Sequence, residues 1–292
     1  MNVYVSIPAY NEGESIAKIV TSIKNVMHKQ KDPYTIIVVN DGSSDNTVQE
    51  AKKAGALVHS HPKNYGLAET FRTEIKEFLS SKADIFVHID ADGQYNPEDI
   101  PNLIKEIKNG YDLVLGSRFL GNIEYMPFMK RLGNKAFALV LSRLTKMKLT
   151  DTTTGFRAFT RKVAEQIPIT NTFTYTQEQI IRATREKFAI KEIPVNTNKT
   201  RESRLFNSSF EYAIKAWINI LRIYRDYEPL KFFGKIGISF ITLGTIIGLW
   251  LVYLFLTTGK VGHTPLAIFT ILLLMIGLQV ILFGFLADMR RK

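Results

Sequence analysis

Asp90 and Asp92, one residue apart in the run IFVHIDADGQYNPEDI (residues 85–100), are the side chains whose type and spacing most directly offer chemistry. Two carboxylates so spaced supply hard oxygen ligands to Mg²⁺ or Mn²⁺, ions that usually complete their shells with water and substrate phosphates. The same pair also suits a solvated strand-to-helix turn, so its meaning depends on what holds it. Residues 85–89 are a short β-rich apolar run, and Pro97, Glu98 and Asp99 read as a first helical turn, where a fixed φ and negative charge are favourable. The carboxylates therefore fall just beyond the carboxyl end of a strand, where open α/β sheets bind ligands.

The elements that must position them follow from periodicity. Residues 2–7, 35–39, 57–59, 85–89 and 113–115 read as strands. Between them lie helical stretches, the first with apolar residues at Ile16, Ile19, Val20 and Ile23, the next ending near Lys53, and a third over 67–80. Strands alternating with helices imply an α/β fold, a mostly parallel sheet with flanking helices. The loops 8–12, 40–45 and 90–94 should then gather along one edge. Asp41 can accept hydrogen bonds from a nucleobase or ribose, or cap its own turn beside Gly42-Ser43-Ser44. Neither a P-loop nor a glycine-rich dinucleotide fingerprint is present.

PAYNE (residues 8–12), NDGSSDNT (40–47) and DADGQ (90–94) resemble glycosyltransferase family 2, with its Rossmann-like GT-A fold for nucleotide sugars. GSR (116–118) and DTTTGFRAF (151–159) resemble its polyprenyl-phosphate branch, the dolichol-phosphate mannose synthase-like enzymes. Each motif is weak alone, but five in order, over roughly residues 1–210, are specific. The resemblance implies that Pro8, Ala9, Tyr10, Glu12 and Asp41 surround the donor base and ribose. It implies that Asp90, Ala91 and Asp92 meet the metal and diphosphate, with Gln94 a further metal ligand. It sets Ser117 and Arg118 near the acceptor phosphate, and Arg131 and Asn134 roughly so. Gln177 and Glu178 match an acidic position facing the donor sugar. Two departures stand out. Gly66 is followed by Leu67 and not by a phosphate-binding lysine, so Lys63 or Arg72 would have to serve. In NTNKTRESRLF (196–206), Arg201 stands where glycine is usual and Lys199 takes roughly the arginine position, leaving Lys199, Arg201 and Arg204 as candidate clamps of a cationic lid.

Residues 125–145 mix Lys130, Arg131, Lys135 and Arg143 with Phe128, Leu132, Phe137, Leu139, Val140 and Leu144. This is an amphipathic basic helix, suited to a membrane surface or to packing on the sheet. Gly155 permits close backbone approach, and Arg157 can pair with Asp151 or meet a ligand. Residues 206–227 form a second helix, with Phe210, Ile214, Trp217, Ile218, Leu221 and Tyr224 on one stripe; it fits an interfacial helix or one packed on the domain. Residues 236–256 carry no charge, and 266–286 are broken only by Gln279; each is long enough to span a bilayer. Lys231 and Lys235 precede the pair, and Arg290, Arg291 and Lys292 follow it, with only Lys260 and His263 between. The positive-inside rule predicts a two-helix hairpin with both ends cytoplasmic.

The chain carries 38 Lys and Arg against 27 Asp and Glu, a formal net charge of +11, which suits anionic lipid; no nucleic-acid motif accompanies it. The absence of cysteine excludes a disulfide framework and thiolate metal sites. The amino terminus, MNVYVSIPAYNE, lacks the pattern of a signal peptide. The sequence thus predicts a cytoplasmic GT-A domain over 1–205, an interfacial segment over 206–231, and a transmembrane hairpin over 232–292 in the cell membrane. Such a protein would transfer sugar from a UDP- or GDP-sugar to a polyprenyl or dolichyl phosphate with inversion, using Mg²⁺ or Mn²⁺, as a monomer or homo-oligomer. Asp92, Arg118 and Glu178 are its expected catalytic residues. An enzyme with a hydroxyl acceptor would instead need a carboxylate base, Glu178 or Asp151; a silent membrane scaffold would need neither.

Overall fold

The computed structural model describes residues 1–170, 175–199, 209–260 and 264–289. Two compact units divide the chain, Met1–Ile214 and Lys215–Lys292. The first alternates strands and helices: β1 (Val3–Ala9), α1 (Ile16–Lys29), β2 (Tyr34–Asn40), α2 (Thr47–Lys53), β3 (Leu57–Ser60), α3 (Leu67–Ser80) and β4 (Ile85–His88). A 3₁₀ turn at Pro97–Asp99 leads into α4 (Ile100–Lys108), then β5 (Leu113–Ser117), α5 (Phe128–Thr145), β6 (Arg157–Thr160), α6 (Arg161–Gln166), α7 (Tyr175–Arg185) and β7 (Ile190–Pro194).

The seven strands run in the order β3-β2-β1-β4-β6-β5-β7. All pair in parallel except β6, which is antiparallel to β4 and β5. The expected α/β class and all five expected strands are present; β6 and β7 are additions. The reversal of β6 has a direct consequence. Its first residue, Arg157, lies opposite His88 at the end of β4 and opposite Leu115 in β5. An amino-terminal strand end thereby joins the carboxyl ends of the parallel strands on one edge of the sheet.

Burial explains the order of the strands. All seven residues of β1 and all four of β4 are buried, as central strands covered on both faces must be. From α1, Ile16, Ile19, Val20 and Ile23 supply the buried stripe that their spacing predicts. On the other face Phe71, Phe78, Phe86 and Phe159 form an aromatic cluster, with Phe86 stacked on Phe159 at 4.6 Å. Each such side chain contributes about 1.5–3 kcal/mol by leaving water. The cluster packs α3 onto β4 and β6.

Helix α8 (Ser209–Tyr227) crosses the division between the units. Trp217, Ile218 and Leu221 on it are exposed, whereas Ile220 and Ile223 are buried. The second unit is chiefly α9 (Pro229–Thr258) and α10 (Thr264–Met289), both long and apolar enough to cross a membrane. They meet along glycines: a Cβ on Gly237 would stand 2.6 Å from the Gly277 carbonyl oxygen, and one on Gly277 would stand 2.8 Å from that of Gly237. Gly244 and Gly284 continue the seam at seven-residue intervals, against Leu274 and Phe233. Small residues let the two backbones approach, as packing in a bilayer requires. Most of the other large apolar side chains of both helices are exposed.

Candidate active site

The loops that follow β1 and β2 are interlocked through their own backbone amides. Asn11 sits at φ +53°, and its amide donates to the Ser43 hydroxyl. The Glu12 and Gly13 amides donate to Thr47 and Asp45, and Ser44 N–H returns a bond to the Asn11 side chain. Asp41 N–H donates to the Ala9 carbonyl, which ties the ends of β1 and β2 together. Gly42, at φ +70°, lies under residue 63: any Cβ there would come within 2.4 Å of the Lys63 carbonyl carbon. The loop over 61–66 can cross at that point only because residue 42 is glycine. Within this frame Pro8 and Ala9 end β1, Glu12 lies in the loop, and Tyr10 is 43% exposed, its ring presented to solvent.

Asp41 is buried, and both its oxygens are in use. Oδ1 accepts from Tyr65 N–H at 2.9 Å and faces His61 Nδ1 at 2.8 Å, while Oδ2 accepts from Gly66 N–H at 2.8 Å. The carboxylate thus anchors the 61–66 loop. Lys63 lies over the Tyr65 ring at 5.6 Å. Arg72 is paired with Glu69 and donates to the Ile169 and Thr170 carbonyls, which ties it to the protein frame.

Asp90 and Asp92 leave β4 as its register demands. The Gln94 amide donates to Asp92 Oδ1 at 2.9 Å and closes the turn. Asp90 lies tight against Gly155, where a Cβ would be 2.7 Å from Oδ2. The segment 196–199 docks on the same loop: Asn198 N–H donates to the Gln94 carbonyl and its side chain to the Gly93 carbonyl. Lys199 N–H donates to Glu124, and its ammonium lies 5.6 Å from the Tyr125 ring centre. Arg201 and Arg204 lie outside the described residues. Among the described residues no cluster of three or more His, Cys, Asp and Glu could hold a metal. Two carboxylates and a carboxamide fit an ion that takes its remaining ligands from water and a diphosphate.

Behind the carboxylates stands a second layer, illegible as a site in the sequence. Glu74 of α3 and His88 of β4 are both fully buried, and His88 Nδ1 lies 3.0 Å from Glu74 Oε2. Ser6 donates to Glu74 Oε1 at 2.8 Å, and His88 Nε2 faces Asp90 Oδ1 at 3.5 Å. Burial alone would lower the His88 pKa, but Glu74 and Asp90 outweigh it and raise it to about 9, so the imidazole is a cation at neutral pH.

Arg118 is 4% exposed, and its Nε and Nη2 grip Asp151 at 2.7 and 2.9 Å; Nη2 also donates to Thr153. Of the two alternatives left open for Arg157, pairing with Asp151 is therefore not the one found. Arg157, fully buried, instead donates to the Thr154 and Thr176 carbonyls and to Gln179. Burial would raise the Asp151 pKa, but the Arg118 charge and the hydrogen bonds it accepts hold it below the ordinary value. Ser117 is buried against Thr150 at 2.6 Å, and Glu192 caps the 150–151 amides. Glu178 accepts from Thr170 and from Arg182, which fixes it at the amino end of α7.

The first turn of α5 separates two adjacent cations. Arg131 is exposed, whereas Lys130 is half-buried. Burial and then Arg118 lower the Lys130 pKa, against opposing pulls from Asp92, Asp90 and Asp151. Lys130 therefore belongs to the electrostatic neighbourhood of both carboxylates. Asn134, one turn further along the inward face, is buried. The edge of the sheet thus gathers two carboxylates, two cations and a set of preorganised loops.

The model of the family described as "Glycosyl transferase family 2" matches residues 4–168. The chain belongs to that family. It is 30% identical to a dolichol-phosphate mannosyltransferase of Pyrococcus furiosus over 270 residues, covering 89% of this chain and 74% of the relative. It is also 30% identical to a UDP-N-acetylglucosamine–dolichyl-phosphate N-acetylglucosaminyltransferase of Methanococcus voltae, covering 76% of this chain and 95% of that one. Among solved structures, glucosyl-3-phosphoglycerate synthase from Mycobacterium tuberculosis, crystallised with Mn²⁺, UDP and phosphoglyceric acid, superposes with a TM-score of 0.59 at 20% identity. That match covers 75% of this chain and 78% of the synthase, and it shows the GT-A-like fold. The expected family, polyprenyl-phosphate branch and glycosyltransferase class are borne out.

Proposed function

We propose that this glycosyltransferase moves a sugar from a nucleotide diphosphate onto a polyprenyl or dolichyl phosphate, with inversion, at a membrane surface. The observation that carries the reading is the state of the carboxylates beyond Asp90 and Asp92. A hydroxyl acceptor needs a base, and the two candidates are both committed: Asp151 is clamped by Arg118, and Glu178 is held by Thr170 and Arg182. A phosphate oxygen is already ionised near neutral pH and needs none. What such a reaction demands is the joint holding of two anionic groups, and the charge of Lys130 is felt by both Asp90 and Asp92 and that of Arg118 by Asp90.

In this mechanism Tyr10, with Pro8, Ala9, Glu12, Asp41 and Lys63, frames the nucleoside. Asp90 and Asp92, with Gln94, would hold a divalent metal, Mg²⁺ or Mn²⁺, which when bound neutralises the diphosphate as a Lewis acid. The donor set and the Mn²⁺ bound to the synthase of like fold support that assignment. Ser117, Arg118, Lys130 and Asn134 meet the acceptor phosphate, with Lys199 and, by sequence alone, Arg201 and Arg204 as further candidates and Arg131 at the lipid surface. The acceptor oxygen attacks the anomeric carbon, the bond to the diphosphate breaks, and the nucleoside diphosphate leaves on the opposite face. The hairpin at 232–292 anchors the catalytic domain on the cytoplasmic side.

The relatives are named for different sugars, mannose in one and N-acetylglucosamine in the other, so the donor is found by assay. The test is a panel of UDP- and GDP-sugars offered with a short polyprenyl phosphate, with product mass as the readout. One donor should give a lipid phosphate heavier by one glycosyl residue, and excess chelator should abolish the product. No product with any donor, or full activity in chelator, would overturn the acceptor and metal assignments respectively.

A further inference from the structure

Behind Asp90, the first of the two family 2 carboxylates, stand groups that none of the motifs includes. Ser6 in β1, Glu74 in α3 and His88 in β4 are all fully buried. Ser6 Oγ donates to Glu74 Oε1 at 2.8 Å, Glu74 Oε2 lies 3.0 Å from His88 Nδ1, and His88 Nε2 stands at an ion-pair distance of 3.5 Å from Asp90 Oδ1. Phe71 packs on the imidazole at 5.3 Å, and the Tyr175 hydroxyl lies 3.5 Å from Nε2, so the ring has little freedom. Asp90 occupies space that any side chain at residue 155 would take, since a Cβ on Gly155 would lie 2.7 Å from Oδ2. Burying a Glu and a His inside an aromatic cluster gains little stability over apolar residues of the same size. Their geometry instead delivers one ring nitrogen to one carboxylate oxygen.

We propose that the buried Ser6–Glu74–His88 line is a positioning device for Asp90, fixing its carboxylate for the divalent metal and donor diphosphate. Glu74 and His88 are positioning residues; they touch no substrate. The inference rests on the reading of Asp90 and Asp92 as the metal–diphosphate pair. Partners behind metal-binding groups typically alter metal affinity by 10–100-fold when removed.

The test uses the full chain in detergent. Mn²⁺ is titrated by EPR with UDP present in one series and GDP in another, and thermal unfolding is followed in parallel. Glu74→Gln and His88→Gln, which keep volume and hydrogen-bonding capacity, should weaken Mn²⁺ binding about tenfold or more. Phe78→Leu, in the same aromatic cluster but bonded to none of the line, should lower the unfolding temperature and leave Mn²⁺ affinity unchanged. Should either polar variant fail to fold, Ser6→Ala removes only the outermost bond and should weaken Mn²⁺ by about threefold. Mn²⁺ affinity within twofold of wild type in the folded variants overturns the positioning role alone. Wild type that binds no Mn²⁺ with either nucleotide overturns the metal reading, and the proposal with it.

Discussion

Arg118 and Asp151 are both almost out of reach of water, and each depends on the other's charge. Arg118→Ala would leave a buried carboxylate uncompensated, at a cost of about 3–5 kcal/mol. We expect that variant to lose stability before it reports on catalysis, with urea unfolding as the check; unchanged stability would contradict the buried-pair account. The pH sign follows from the depressed Asp151 pKa. The pair's contribution is present above the unfolded carboxylate value and is lost as the pH falls through the lower folded value. Lys130 is the cleaner probe of the acceptor phosphate. Losing one charge-assisted hydrogen bond costs about 1.5–3 kcal/mol, so Lys130→Ala should reduce kcat/KM for polyprenyl phosphate at least tenfold. Arg131→Ala, on the exposed side of the same turn, should change it less than threefold in neutral detergent; equal losses would show that the helix phase has been misjudged. The sequence offered both cations side by side, and only the phase of α5, set by buried Asn134, Phe137, Ala138 and Leu141, tells them apart. Glu74 had a fainter signal: it shares with Phe71 and Phe78 the buried face of α3. His88 had none, since a histidine in an apolar strand reads as core.

At the scale of elements, alternation of apolar runs with helical stripes was enough for β1 to β5: β1, β2, β4 and β5 are short, mostly buried and nearly all apolar, and β3 is a four-residue edge strand with exposed ends. Strand β6 escaped that logic. It is four residues long, RAFT, and begins with a buried arginine whose charge is met by carbonyls and Gln179 and not by water. Its antiparallel direction is set by neighbours distant in sequence, which local pattern cannot encode. The hairpin's length and lack of charge were legible, but the pairing of Gly237 with Gly277 was visible only once the helices were side by side. Gly237→Leu has no room against Gly277 and Ile281. We expect it to separate α9 from α10, so that disulfide cross-linking between cysteines placed at Gly248 and Thr270, which face each other without a clash, fails in that background and succeeds without it. Cross-linking at equal rate in both would remove the glycine seam from the account.

For the whole molecule, the reading joins a soluble-type sheet to a lipid anchor through charge. From the cationic flanks at Lys231, Lys235 and residues 290–292, with a charge-poor connection between the spans, we propose that both ends lie inside. The chain has no cysteine of its own, so one introduced at Gly262 should react with an impermeant thiol reagent from outside intact cells, and one at Lys292 should not; the reverse pattern contradicts the proposed topology. On α5 the exposed Phe128, Leu132 and Leu139 lie among Arg131, Lys135 and Arg143, as a surface meeting anionic lipid would have them. The central claim is that the acceptor is a phosphate on a lipid. It is tested most directly by offering the wild-type enzyme polyprenyl phosphate and the unphosphorylated polyprenol at matched concentrations in the same micelles, with its donor sugar labelled. The account predicts label in the glycosyl lipid phosphate and none above background in the alcohol; equal transfer to the alcohol would contradict it.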